Sequence, residues 1–138
     1  MAQIRHLVIA SKDPDATAAF YKKVFGLKEL YPVKGKAATG HYLTDGHLSI
    51  GILDFKTDAA ANPRYGKKYA GLHHIGFLVE DVLATAKQME SAGAQEEDIE
   101  TPFGKTKSPA LKKTSRPQYT GPDGVLIDIN QVGWHGVS

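Results

Sequence analysis

The chain has 138 residues, no cysteine, and 17 basic against 15 acidic side chains for a formal charge of +2. That length suits one domain burying about two thirds of its unfolded surface, and the missing cysteines exclude disulfides, thiolate metal sites and cysteine nucleophiles. The balanced charge gives no support to a nucleic-acid or membrane-surface partner. The first residues lack the charged-then-apolar order of a leader, and no apolar run approaches the roughly 18 residues of a membrane span, so a cytoplasmic location is expected.

In chain order, residues 4–10 alternate, with Leu7 and Ile9 on one face and His6, Val8 and Ala10 on the other, as a strand does. Asp13-Pro14 reads as an N-cap followed by proline in the first helical turn. Ala16, Phe20 and Val24 are the expected buried stripe of a helix that stops at Gly26. Strands are expected over 29–34, 39–44 and 47–53, with Asp45-Gly46 turning into the last of them. Asn62-Pro63 and two further glycines mark 55–71 as a linker. Then the pattern restarts. Moved forward by 68, residues 6–18 fall on 74–86, with His6 on His74, Asp13 on Asp81, and Ala16-Thr17-Ala18 on Ala84-Thr85-Ala86. Asp81 caps a second helix with Leu83, Ala86 and Met89 as its stripe, and Pro122-Asp123-Gly124 turns into a final strand over 125–130. The reading is α+β: one domain, 1–138, made of two βαβββ modules, 1–54 and 72–132, around the linker.

A histidine repeated at one place in both halves suggests two imidazoles at one point, and hence a metal. Strand alternation turns His73 away from His74, so His73 is expected to face a helix or solvent and to play no part. His47 shares the parity of Gly51 and is a candidate proton relay; of His41 and Tyr42, only one should point inward. His135 is expected at the surface, and Trp134 in packing, at the edge of a site or at an interface. The basic stretch from Lys105 to Arg116 has no acidic residue. It is a candidate for holding an anionic substrate, with Arg116 as the substrate-binding candidate within it, although such runs are commonly just solvated.

The runs 6–26, 73–81 and 121–128 together resemble the vicinal oxygen chelate superfamily, which includes glyoxalase I, methylmalonyl-CoA epimerase, extradiol dioxygenases and bleomycin-binding proteins. The resemblance implies a cup-shaped, partly open mixed β-barrel whose metal ligands come from the first and last strands of each module. Those positions map onto His6, His74 and Asp128, the last one methylene shorter than the usual glutamate. The fourth falls on Gly51 or Ser49 by alternation, or on Ile50 if the two Asp-Gly turns are aligned without a gap; none is a strong ligand, and Gly51 is expected to leave room for O2 or a chelating substrate. Two histidines and a carboxylate favour Fe(II) or Mn(II), with Zn(II) or Ni(II) as alternatives. The resemblance implies first an extradiol-dioxygenase-like oxygenase, since those enzymes use the same three positions, with Tyr119 near their substrate-contacting tyrosine. The alternative is a glyoxalase I-like lyase or an epimerase, and the third reading a metal-free ligand-binding protein of the bleomycin type. A homodimer is expected, with His6 and His74 of one site contributed by one chain or by two.

Overall fold

The computed structural model describes residues 1–98, 100–101, 104–105 and 110–137, with the backbone alone at 100–101 and 104–105. The first module runs β1 (Gln3–Ala10), α1 (Pro14–Phe25), β2 (Lys28–Lys34), β3 (Ala38–Thr44) and β4 (Ser49–Phe55). The linker carries a short helix, α2 (Asp58–Ala61). The second module follows with β5 (Gly71–Leu78), α3 (Val82–Ser91), β6 (Gln95–Glu97), a two-stranded piece β7 (Glu100–Thr101) and β8 (Gly104–Lys105), then β9 (Gln118–Thr120) and β10 (Leu126–Asn130). Asp13 and Asp81 cap α1 and α3, accepting from backbone N–H groups of the first turn as their repeated position requires.

Eight of the strands form one sheet in the order β2-β3-β4-β1-β5-β10-β9-β6, mixed and not closed. The strand order therefore reads the same outward from the antiparallel pair β1–β5 on either side, all within a single chain. Each half is completed by a parallel pair, β1 with β4 and β5 with β10. Helix α1 covers the outer face of the first half, where Ala18 meets Leu43 and Ile52; α3 covers the second, where Val82 and Ala86 meet Tyr119 and Ile129. A third cluster, Val8, Ala10, Leu53 and Phe55, lies on the inner face and is closed by Ala60 and Ala61 of α2. The linker is thus part of the core.

The stripe expected to be buried on α1 faces outward: Phe20 is 54% and Val24 53% exposed. The helix has two apolar faces, and the one carrying Ala18 meets the sheet because its small side chain admits a close approach.

Gly40 sits at φ 151, and a Cβ there would lie 1.9 Å from the Ile52 carbonyl oxygen, whereas Gly46 at φ 101 has nothing within 4 Å. Gly40→Ala should therefore lower the unfolding free energy by about 3 kcal/mol and Gly46→Ala by about 1 kcal/mol, measured by urea titration.

Candidate metal centre

Two irregularities in the β1–β5 ladder place the repeated histidines. The register passes from Ile4↔Phe77 to His6↔Gly76, skipping Arg5, and from Val8↔His74 to Ile9↔Leu72, skipping His73. Arg5 and His73 are equivalent under the repeat, so each of the two repeated histidines follows a β-bulge. A bulge interrupts alternation. This corrects the expectation for His73, which turns onto the same inner face as His74, with its Nδ1 2.7 Å from His74 Nδ1. It packs on Phe55 at a ring separation of 4.7 Å and donates from Nε2 to the Ala61 carbonyl at 2.6 Å.

His6, His74 and Asp128 offer ligand atoms that all lie within 4.8 Å of one another. His6 Nε2 is 3.3 Å from His74 Nε2, which is 3.1 Å from Asp128 Oδ2. The outer nitrogen of His6, Nδ1, donates to the Ser49 carbonyl at 3.2 Å, leaving its inner nitrogen with a lone pair. Neutral rings would thus set two lone pairs and a carboxylate against each other, an arrangement that a cation at the centre relieves. The donor set fits a divalent metal: two imidazoles and a carboxylate, turned inward as acceptors.

Electrostatics agree. Burial, aided by His74, pushes the His6 pKa down from 6.5 to about 3, so the ring is neutral and able to coordinate well below neutral pH. Burial works to raise the Asp128 pKa, but His74, His6 and the hydrogen bond from Gln118 outweigh it and hold the carboxyl below its ordinary value.

The strand register also locates the fourth position. Val8 pairs with Gly51 as its repeat equivalent Gly76 pairs with Asp128, so Gly51 is the counterpart of Asp128. The space beyond it is filled rather than open. A Cβ on Gly51 would meet Tyr42 Cε1 and Val8 Cγ2, each at 3.0 Å. Tyr42 is the inward member of its pair and stacks with His6 at 6.0 Å; His41 turns outward to Asp15 and Glu29. Burial, then Tyr31 and Asp128, push the Tyr42 phenol well above its ordinary pKa. Ser49 lies beside His6 with its hydroxyl buried and unpartnered among the described residues.

Other sequence candidates fall elsewhere. His47 is exposed in the turn before β4, outside the cluster. Tyr119 is fully buried against α3, on the outer face, because Gln118 rather than Tyr119 pairs with Asp128 in the β9–β10 hairpin. Gln118 is a site residue that sequence reading missed; following alternation back through the hairpin would have found it. Its Nε2 donates to Asp128 Oδ1 at 2.8 Å. Trp134 stacks on His6 at 4.9 Å, so the tail crosses the site, and Arg116 ties it down by donating to the Gly133 carbonyl at 2.8 Å. His135 is exposed. Of the basic stretch, Lys107, Ser108 and Pro109 lie outside the described residues, as does the side chain of Lys105.

The Glyoxalase/Bleomycin resistance protein/Dioxygenase superfamily matches residues 3–129. The chain belongs to this superfamily. A search of curated proteins finds no match. Among solved structures, protein BH1468 of Bacillus halodurans is similar with a TM-score of 0.69 at 18% identity, over 93% of this chain and 92% of that one. A variant of Streptomyces coelicolor methylmalonyl-CoA epimerase, in complex with 2-nitronate-propionyl-CoA, is similar with a TM-score of 0.64 at 23% identity over 92% of each chain. The Mycobacterium tuberculosis methylmalonyl-CoA epimerase reaches 0.65 at 15% identity, over 91% of this chain and 85% of that one. At these identities the likeness is one of fold. Among the described residues, no helix is long and apolar enough to cross a membrane.

Acid should weaken the metal-free protein. Burial, reinforced by His74, brings the His73 pKa down to about 4 alongside that of His6. With both folded values below the unfolded 6.5, the unfolded chain binds more protons in that window, so stability falls as pH drops through it. A melting temperature that declines from pH 7 to pH 4, with the slope reduced in His6→Gln, is the expected result of a scan at several pH values.

Proposed function

We propose that the protein is a divalent-metal-dependent enzyme whose substrate chelates the cation through two adjacent oxygens, and that it moves a proton on the carbon beside a carbonyl, as an epimerase or lyase does. The observation that carries the reading is the set of three inward acceptors on His6, His74 and Asp128. These residues would hold the metal, and a bound metal would stabilise negative charge developing on the substrate oxygens.

The rest falls to this chain's own side chains. Tyr42 lies across Gly51, where a proton-transferring group of this fold would stand, and burial keeps its phenol protonated at neutral pH. A protonated phenol gives a proton rather than taking one, so we assign Tyr42 the return of a proton to the substrate carbon, after the proton lost from that carbon has passed to base in the solvent. Trp134 covers His6 and sheds water from the site, and Arg116, with its guanidinium 5.9 Å from the Trp134 ring, supplies a cation for an anionic group on the substrate. The buried Ser49 hydroxyl is a further substrate contact. That solved structures of similar fold include methylmalonyl-CoA epimerases supports the proton-transfer class. No role is proposed for His47 or Tyr119.

A ring-cleaving oxygenase is the second reading, supported by the two-histidine, one-carboxylate set and by Fe(II) or Mn(II) as its suited metals, with Zn(II) or Ni(II) as alternatives. It loses ground because the position expected to be open at Gly51 is covered by Tyr42 and Val8. For assembly we propose a homodimer, supported by the exposed Phe20, Val24 and Phe25 on α1.

Four measurements test these readings. Elemental analysis should find about one metal per chain in the wild type, and His6→Ala, His74→Ala or Asp128→Ala should each abolish it; unchanged metal content in all three would refute the site. Metal-loaded protein given a racemic branched acyl-CoA thioester in D2O should introduce deuterium beside the carbonyl. Tyr42→Phe should slow this about 100-fold. Oxygen uptake on catechols by the Fe(II)-loaded protein, without such exchange, would instead establish the oxygenase reading. Light scattering at micromolar concentration should give the mass of two chains.

A further inference from the structure

Two hydrogen-bonded chains leave the linker at neighbouring residues and end on two of the three ligands, an arrangement whose meaning rests on the metal reading. The first starts at the Ala61 carbonyl, which accepts from His73 Nε2 at 2.6 Å. A carbonyl oxygen only accepts, so His73 carries its proton on Nε2 and keeps a lone pair on Nδ1. That lone pair faces His74 Nδ1 at 2.7 Å, which must donate. His74 Nε2, the nitrogen facing His6 and Asp128, is left for coordination.

The second chain starts at the Arg64 backbone N–H, which only donates. It gives its hydrogen to Asn62 Oδ1 at 2.9 Å, and this directs Asn62 Nδ2 to Gln118 Oε1 at 3.2 Å. Gln118 Nε2 then donates to Asp128 Oδ1 at 2.8 Å, while Asp128 Oδ2 faces His74. Each chain begins on a backbone group whose polarity is not adjustable, so the orientation of every ring and amide along it follows. Ala61, Asn62, His73 and Gln118 are all buried, which leaves water little chance to replace a link. Asn62 itself ends α2 at φ 68, ψ 121, a left-handed φ that asparagine tolerates better than most residues.

We propose that the Ala61–Asn62 turn of the linker is the outer scaffold of the metal centre, with His73 and Asn62 as positioning residues that lock the His74 tautomer and aim the Asp128 carboxylate. Neither touches the metal. Partners of this kind are worth about 10- to 100-fold in metal affinity.

Zinc alone, titrated calorimetrically into the metal-free full chain, is the probe. His73→Leu removes the acceptor for His74 Nδ1 while keeping bulk, and His73→Asn restores an acceptor oxygen at the Nδ1 position. Asn62→Asp keeps the shape but can only accept at both oxygens, so Gln118 must turn its NH2 outward and present a carbonyl oxygen to Asp128. His73→Leu and Asn62→Asp should each lose about 10- to 100-fold in zinc affinity, with His73→Asn close to wild type. Should the variants fail to fold, long-range 1H–15N spectra of the metal-free wild type must still show His73 protonated on Nε2 and bare on Nδ1. A proton on His73 Nδ1 overturns the proposal. So do folded His73→Leu and Asn62→Asp proteins that bind zinc as the wild type does, and this outcome leaves the metal reading standing. A wild type that takes up no zinc overturns the metal reading and this proposal together.

Discussion

The antiparallel pairing of β1 with β5 is the contact on which the other features depend. It joins the two halves into one sheet, gives them the same strand order outward from the pair on either side, and sets the repeated histidines on one face close enough for their Nε2 atoms to approach to 3.3 Å. The bulges at Arg5 and His73 twist that pair just before each ligand. In the second copy the extra residue has been put to use: His73 lies against His74 instead of across the sheet from it.

Burial gives this cluster its chemical character. An exposed histidine pair beside an aspartate would take up protons and solvent. Here His6 stacks with Tyr42 and Trp134, donates outward to a backbone carbonyl, and is held neutral by its surroundings. Asp128 keeps its charge because two histidines and Gln118 offset the cost of burying it. Within the cluster the outward hydrogen bonds leave acceptor atoms of His6, His74 and Asp128 turned toward one another, the donor set that suits a cation.

Much of the site was legible in sequence because its signals are local. Asp13 and Asp81 cap helices through their own first turns, and alternation over a few residues puts His6 with Val8 and Asp128 opposite Ile127. Readings that failed depended on a partner strand or helix. Alternation alone turns His73 away from His74, and a bulge cancels it; Tyr119 is a candidate by its place before the turn, whereas the hairpin register pairs Gln118 with Asp128. Gly51 looked like empty space because Tyr42, which fills it, comes from the neighbouring strand.

By itself the sequence determined the repeat of strand and capped helix in the two halves and the candidacy of His6, His74 and Asp128, all properties of residue type and short-range spacing. Tertiary structure alone decided which face of α1 meets the sheet, that the linker closes the inner core, and that Ala61 and Asn62 connect by hydrogen bonds through His73 and Gln118 to His74 and Asp128. The physical reason is that hydrogen-bond polarity and steric filling are settled between atoms distant in the chain. Asn62 and Gln118, 56 residues apart, acquire their orientation only when the folded backbone brings fixed donors and acceptors to either end.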